Sequence, residues 1–231
     1  MQNTIKGISS MATRQLLAAL VADYKKQADI AIQIESVGGV DAAKRVQAGE
    51  AFDVVILASD AIDKLIAAGH MDPASKVNLV DSGVAVAVKA GSTLPDISSE
   101  TAVKAAVLAA KTISYSTGPS GVALARLFER WGIAEQIAPR IVQAPPGVPV
   151  GSLVAKGEVE LGFQQLSELI GLDGITVVGP LPSDIQITTT FSAGVCTAST
   201  QADAVKNLLA FMASSQTADA KRYQGMTPAA N

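Results

Sequence analysis

Apolar runs of strand length alternate along this chain with longer segments whose apolar residues recur at helical spacing, and that alternation restricts it to an α/β fold with a mostly parallel sheet. From the N-terminus, TIKGI (4–8) reads as a strand and SSMATRQLLAALVADYKKQA (9–28) as a capped amphipathic helix. AIQIES (31–36) is a second strand, VDAAKRVQAGE (40–50) a second helix and FDVVILA (52–58) a buried strand. SDAIDKLIAAGH (59–70) follows as a third helix, with Ser59 or Asp60 as its cap and Gly69 near its end.

The grammar then breaks and restarts. NLVDSGVAVAVKAGS (78–92) reads as one long crossing strand, after which the predicted elements alternate again. Helices are expected at 99–110, 121–133, 150–158 and 166–171, and strands at 112–116, 140–144, 160–164 and 174–182. A second long extended stretch, IQITTTFSAGVCTAS (185–199), precedes one long closing helix over 201–225. Two halves with one grammar predict two α/β lobes joined by two crossing strands, with a ligand cleft between them. The first lobe takes residues 1–83 and 189–231, the second 84–188.

Composition removes several functional classes. Of the 231 residues 48% are apolar, enough for a substantial core, while only 4% are aromatic and the net charge is −3 with the basic residues scattered. Such a surface does not neutralise a run of phosphates, so nucleic acid is not an expected partner. A single cysteine, Cys196, and a single histidine, His70, leave no internal disulfide and no Cys- or His-based metal centre. No Walker loop or GxGxxG occurs, so no cofactor is expected. Charges and glycines cut every apolar stretch short of the roughly 20 residues that span a bilayer, which argues against membrane insertion. The opening MQNTIKGISS lacks the charged and apolar regions of a secretion signal, so the chain reads as cytoplasmic or as a mature exported form.

Chemistry is expected where strands hand over to helices. Ser9 and Ser10, Gly38 and Gly39, Ala58 and Ser59, and Ser120 and Gly121 occupy four such junctions. Helix starts carry free N–H groups and partial positive charge, and ligands of open α/β sheets lie beyond the carboxyl ends of the strands, so the four together predict an anion site. The stretch TGPSG (117–121) is therefore both punctuation before a helix and a candidate anion-binding turn. Arg14 could reach a carboxylate bidentately. Gln164, Gln165 and Glu168 lie at the end of ELGFQQLSEL, where a predicted strand ends, and His70 is expected to interact with a helix C-terminus. No histidine stands beside the serines, so nucleophilic hydrolysis is not expected.

The segments ISSMATRQLLAALVADYKKQ, VQAGEAFDVVILASDAIDKL, TGPSGVALARLFERWGI, LVAKGEVELGFQQLSEL and LLAFMASSQTADAKRYQGM, in that order, resemble the periplasmic molybdate-binding proteins, the type 2 solute-binding proteins of ABC transporters. The resemblance implies a two-lobed clamp that closes over an oxyanion with neutral donors, and a periplasmic mature chain that works as a monomer. Carried over, Ser10 matches the family's first-loop serine, Ala58 its third-loop position, Ser120 the small residue of its PAG turn and Gly147 a fourth-loop amide. Other positions depart: Gly38, Gly39 and Val40 replace a serine-rich run, Pro146, Gly147 and Val148 replace NVR, and Gln165 replaces the family's tyrosine. Fewer hydroxyls and a glycine-widened loop suit an anion larger than molybdate, such as a di- or tricarboxylate. This branch is similar to molybdate-binding-like aconitate isomerases, which implies interconversion of trans- and cis-aconitate by a proton shift across the double bond, or an equivalent isomerisation. Glu168, Glu35 and Tyr115 all fall near predicted strand ends, and Glu168 is the chosen base. The alternative is a non-catalytic binding protein that delivers molybdate, or another small oxyanion or carboxylate, to an ABC permease.

Overall fold

The structure, a computed structural model, describes residues 4–230, so the outermost ends assigned to the first lobe, residues 1–3 and 231, lie outside the described residues. Two compact units emerge: Met1–Ser82 with Thr189–Asn231, and Gly83–Thr188. In chain order the elements are β1 (Thr4–Ser10), α1 (Arg14–Tyr24), β2 (Ala31–Val37), α2 (Gly39–Gln47), β3 (Val54–Ala58), α3 (Ser59–Ala67) and β4 (Val77–Lys89). There follow α4 (Glu100–Ala109), β5 (Ile113–Ser114), α5 (Pro119–Arg130), α6 (Ala134–Ile137), α7 (Val150–Lys156), β6 (Leu161–Gln165), α8 (Leu166–Leu169) and β7 (Ile175–Pro180). The chain closes with β8 (Thr188–Val195), α9 (Ala202–Ala213), α10 (Ala218–Tyr223) and β9 (Met226–Pro228).

In the first unit the strand order runs β2-β1-β3-β8, followed by the first half of β4. Strand β1 pairs parallel with β2 and β3, whereas β8 runs antiparallel to β3 and β9 antiparallel to β4. Side chains alternate across a strand, so each face of this sheet collects its own core. Ile5, Ile32, Val54 and Ile56 meet Leu16 and Leu20 of α1 and Val205 and Leu208 of α9 on one side. On the other, Ile8, Val55 and Leu57 meet Ala42 and Val46 of α2 and Ile62 and Leu65 of α3. Each fully buried aliphatic side chain contributes about 1.5–3 kcal/mol. That two-faced burial explains why FDVVILA reads as a continuous apolar run rather than an alternating one.

In the second unit β5 and β6 are parallel, and the second half of β4 pairs antiparallel with β6 and β7. Val103 and Val107 of α4 and Leu124 and Phe128 of α5 cover one core, and Val150, Leu153 and Val154 of α7 form another. The pairing is thus mixed rather than mostly parallel as expected, because β4 and β8 run against their neighbours in their own units.

Three other expectations change. The run at 140–144 is not a strand: Ile141 makes only an isolated bridge to Ile113, and the chain then turns through its prolines. The closing helix is two helices joined by a 3₁₀ turn. Ser214 and Thr217 donate their hydroxyls to the carbonyls of Phe211 and Met212, which ends α9 and starts a 3₁₀ turn at Ser215–Thr217 before α10. Finally, neither Ser59 nor Asp60 caps α3; its N-cap is Ala58, which has no side-chain acceptor.

Candidate functional site

In the first unit three strands end together. The parallel register places Ser10 beside Val37, so the carboxyl ends of β1 and β2 lie at one edge of the sheet, and β3 runs in the same direction. Helices α2 and α3 start at that edge from Gly38 and Ala58, neither of which offers a capping side chain. Their first-turn N–H groups are left pointing past the strands, the arrangement that attracts anions. Ser10 is half-buried there: its hydroxyl oxygen accepts from the Ala12 amide at 3.3 Å and lies 3.8 Å from where a Gly39 Cβ would stand.

Two expected donors sit differently. Ser9 is fully buried, with its hydroxyl 2.8 Å from that of Ser36, so it locks β1 to β2 and presents nothing to a ligand. Arg14 is exposed at the start of α1 beside a groove of about 360 Å³ lined also by Leu17, Ala18, Val21, Ile34 and Ser36. It makes no ion pair among the described residues.

In the second unit the parallel neighbours β5 and β6 likewise end at one edge. Helix α5 begins there at Gly118, again with no capping side chain, and Ser120 and Gly121 lie buried in its first turn. The glycine has a steric reason. A Cβ on Gly121 would stand 1.7 Å from the Ser116 carbonyl oxygen, so only a bare backbone lets the turn and helix pass this closely. In the loop before α7, Gly147 adopts φ +77° and the Val148 amide donates to the Pro145 carbonyl, a turn with Pro146 and Gly147 at its centre. The Val148 amide is therefore already used, while the Gly147 residue itself is exposed.

At the end of β6 the chain supplies a carboxylic acid of unusual character. Glu168 lies in the single turn of α8, and burial alone pushes its carboxyl up to about 7. Gln164, 3% exposed, donates from Nε2 to Glu168 Oε1 at 3.0 Å, and its own Oε1 accepts from the Val150 amide at 2.9 Å. The residue singled out from the sequence, Gln165, is equally buried at the N-cap of α8. It is its neighbour Gln164 that meets Glu168, a contact across the strand–helix junction for which the sequence carries no periodic signal.

The other acid–base candidates take structural roles. Arg45 grips Glu35 with two bonds of 2.8 and 2.9 Å and holds its carboxyl below the usual range, so Glu35 is a poor base. Burial raises Tyr115, which stays a phenol and packs edge-on against Phe128. The Cys196 thiol is pushed up to about 12, first by burial and then by Asp53, which leaves it unreactive. His70 acts through its backbone: its amide donates to the Leu65 carbonyl at the end of α3, and its carbonyl accepts from Thr197. Among the described residues no group of three or more His, Cys, Asp or Glu could hold a metal ion, and no helix is long and apolar enough to cross a membrane.

Residues 5–227 match the profile of the bacterial extracellular solute-binding proteins. A relative from a Pseudomonas species, described as an aconitate isomerase, is 35% identical over 97% of this chain and 88% of its own. Among solved structures, the periplasmic molybdate-binding protein of Azotobacter vinelandii superposes with a TM-score of 0.81 at 19% identity, over 98% of this chain and all of that one. The sulfate-binding protein of Mycobacterium tuberculosis gives 0.79 at 14% identity, over 98% and 87%. At those identities the two structures establish the fold.

Proposed function

This chain belongs to the family of bacterial extracellular solute-binding proteins, and from that membership we propose that it is an aconitate isomerase, binding a tricarboxylate and interconverting its trans and cis forms in the periplasm as a monomer. The observation that carries the proposal is Glu168, a carboxyl that titrates near 7 at a strand end in a chain 35% identical to an aconitate isomerase.

The chemistry asks for such a group. In trans-aconitate the methylene carbon is acidified by its own carboxylate and by the adjacent double bond. Removing its proton gives a dienolate spread over three carbons. Returning the proton to the former vinylic carbon moves the double bond to what had been a freely rotating single bond, and the rotamer held about that bond when the proton leaves decides whether the cis isomer forms. One residue can serve both steps: Glu168 takes the proton as carboxylate and gives it back as acid, with no net change. A pKa near working pH keeps both forms populated, which is where general acid–base transfer is most effective.

Charge must also be managed. The substrate is a trianion, and the dienolate places further charge on a carboxylate. The proposed carboxylate donors are, in the first unit, the uncapped starts of α2 and α3 with the Ser10 hydroxyl, Gly38, Gly39 and Ser59, and, in the second, the uncapped start of α5 with the Ser120 hydroxyl, Gly121, Gly147 and Gln165. Arg14 supplies the full positive charge, and Arg14→Ala is expected to raise KM for aconitate about tenfold through loss of a charge-assisted bond, with kcat little changed. Unchanged KM would remove Arg14 from the site.

Two measurements test the assignment. Purified protein is incubated with trans-aconitate and the products are separated by chromatography; cis-aconitate accumulating with turnover is the expected result. In the pH profile, kcat/KM should rise as Glu168 ionises, with a midpoint near 7, and level off above it. A profile flat from about pH 5.5 upward would mean that the base has an ordinary carboxyl pKa and is not Glu168.

The family membership favours a second reading, a non-catalytic binder that hands an oxyanion or carboxylate to an ABC permease. Thermal shifts with aconitate, citrate and molybdate separate the two. Stabilisation by molybdate alone, without turnover, selects the binder.

A further inference from the structure

The Gln164 side chain hydrogen-bonds the Glu168 carboxyl, and its orientation is imposed from elsewhere. The Val150 amide, at the first residue of α7, can only donate; it does so to Gln164 Oε1 at 2.9 Å in a fully buried bond. That contact fixes which end of the amide is oxygen. The Nε2 end must then face Glu168, where it donates to Oε1 at 3.0 Å. Strand β6 holds the amide in place, since Gln164 is paired with Ala85 of β4 and is 3% exposed.

We infer that Gln164 is a positioning residue for proton transfer, holding Oε1 of Glu168 as a permanent acceptor so that the proton is carried on Oε2. The inference rests on the reading of Glu168 as the base. A carboxyl whose proton could sit on either oxygen would present it to the substrate only part of the time. Here the donated N–H excludes the proton from Oε1, and the acid form always carries its hydrogen on the same atom. The same bond favours the carboxylate over the acid and opposes the burial that raises Glu168, a shift to which no neighbouring charge contributes.

The test compares pH profiles of kcat and kcat/KM for the wild type, Gln164→Leu, Gln164→Glu and Glu168→Gln. Gln164→Leu removes the donor and is expected to lower kcat about tenfold or more, leave KM nearly unchanged, and move the midpoint upward by about half a unit or more. Gln164→Glu keeps an acceptor for the Val150 amide, so it guards against misfolding of the leucine variant, and its like charge should move the midpoint upward further. A purely structural role would lower the amount of folded enzyme and leave the midpoint where it was. If Glu168→Gln is inactive and the folded Gln164 variants titrate with the wild type, the inference falls and the base assignment stands. If Glu168→Gln retains turnover, the assignment falls and takes the inference with it.

Discussion

Glu168→Gln is expected to lose isomerase turnover by a factor of about 10² to 10⁴ while still binding aconitate or citrate. The amide has nearly the shape of the acid and can still meet Gln164, but it cannot take a proton from carbon. Single-turnover assays at high enzyme, with calorimetric titration of citrate, separate the lost chemistry from the retained binding. Tight binding with wild-type turnover would refute the assignment. The variant should also change stability in a definite direction. Glu168 is raised in the folded protein from 4.5 to about 7, so the folded state holds this proton more tightly than the unfolded chain does. Its stabilising contribution is complete below about pH 4.5 and is lost as pH rises to about 7. Glutamine has no such dependence, so the Tm of the variant relative to wild type should be higher at about pH 8 than at about pH 5.

Gly121→Ala should produce the largest loss of stability, about 3 kcal/mol or more, because the new methyl meets a backbone oxygen rather than a side chain that could swing away. The 1.7 Å approach to the Ser116 carbonyl oxygen can be relieved only by moving the turn or the first turn of α5. The first turn of α5 carries donors assigned to the substrate, so affinity should fall with stability. Gly118→Ala is the control three residues away. Its Cβ would find nothing nearer than the Ser116 hydroxyl at 3.6 Å, and its φ of −77° suits any residue. Denaturant unfolding of the two variants side by side decides the point; equal, small effects would show that the turn yields easily.

The α/β class was readable because burial on both faces of a sheet writes continuous apolar runs, and helix faces write a period of 3.6. Glu168 was readable as a polar residue just past a strand end. What escaped the reading depends on partners distant in sequence. Ser9 and Ser10 are adjacent and chemically identical, yet one is consumed by Ser36, 27 residues on, and the other reaches the edge. Gln164 and Gln165 alternate across β6, and only the tertiary packing of α7 reveals which of them is held against the acid. The PPG of 145–147 does encode a turn, but that the turn uses the Val148 amide is a matter of backbone geometry. The strand β9 is three residues long and carries no period of its own; β4 recruits it.

The first unit is written in two pieces, and the piece made last supplies an interior strand. β8 lies between β3 and β4, and nothing before Thr188 can fill that place. The second unit is one unbroken stretch, Gly83–Thr188, whose strands and helices are all at hand once it has left the ribosome. Emergence of the chain in sequence order, from ribosome or membrane pore, therefore imposes an order: the unit written in two pieces is completed after the one that interrupts it. Until then β3, whose five residues are all buried in the finished protein, stands as a bare apolar edge. The length of the inserted unit therefore sets how long that edge stays uncovered.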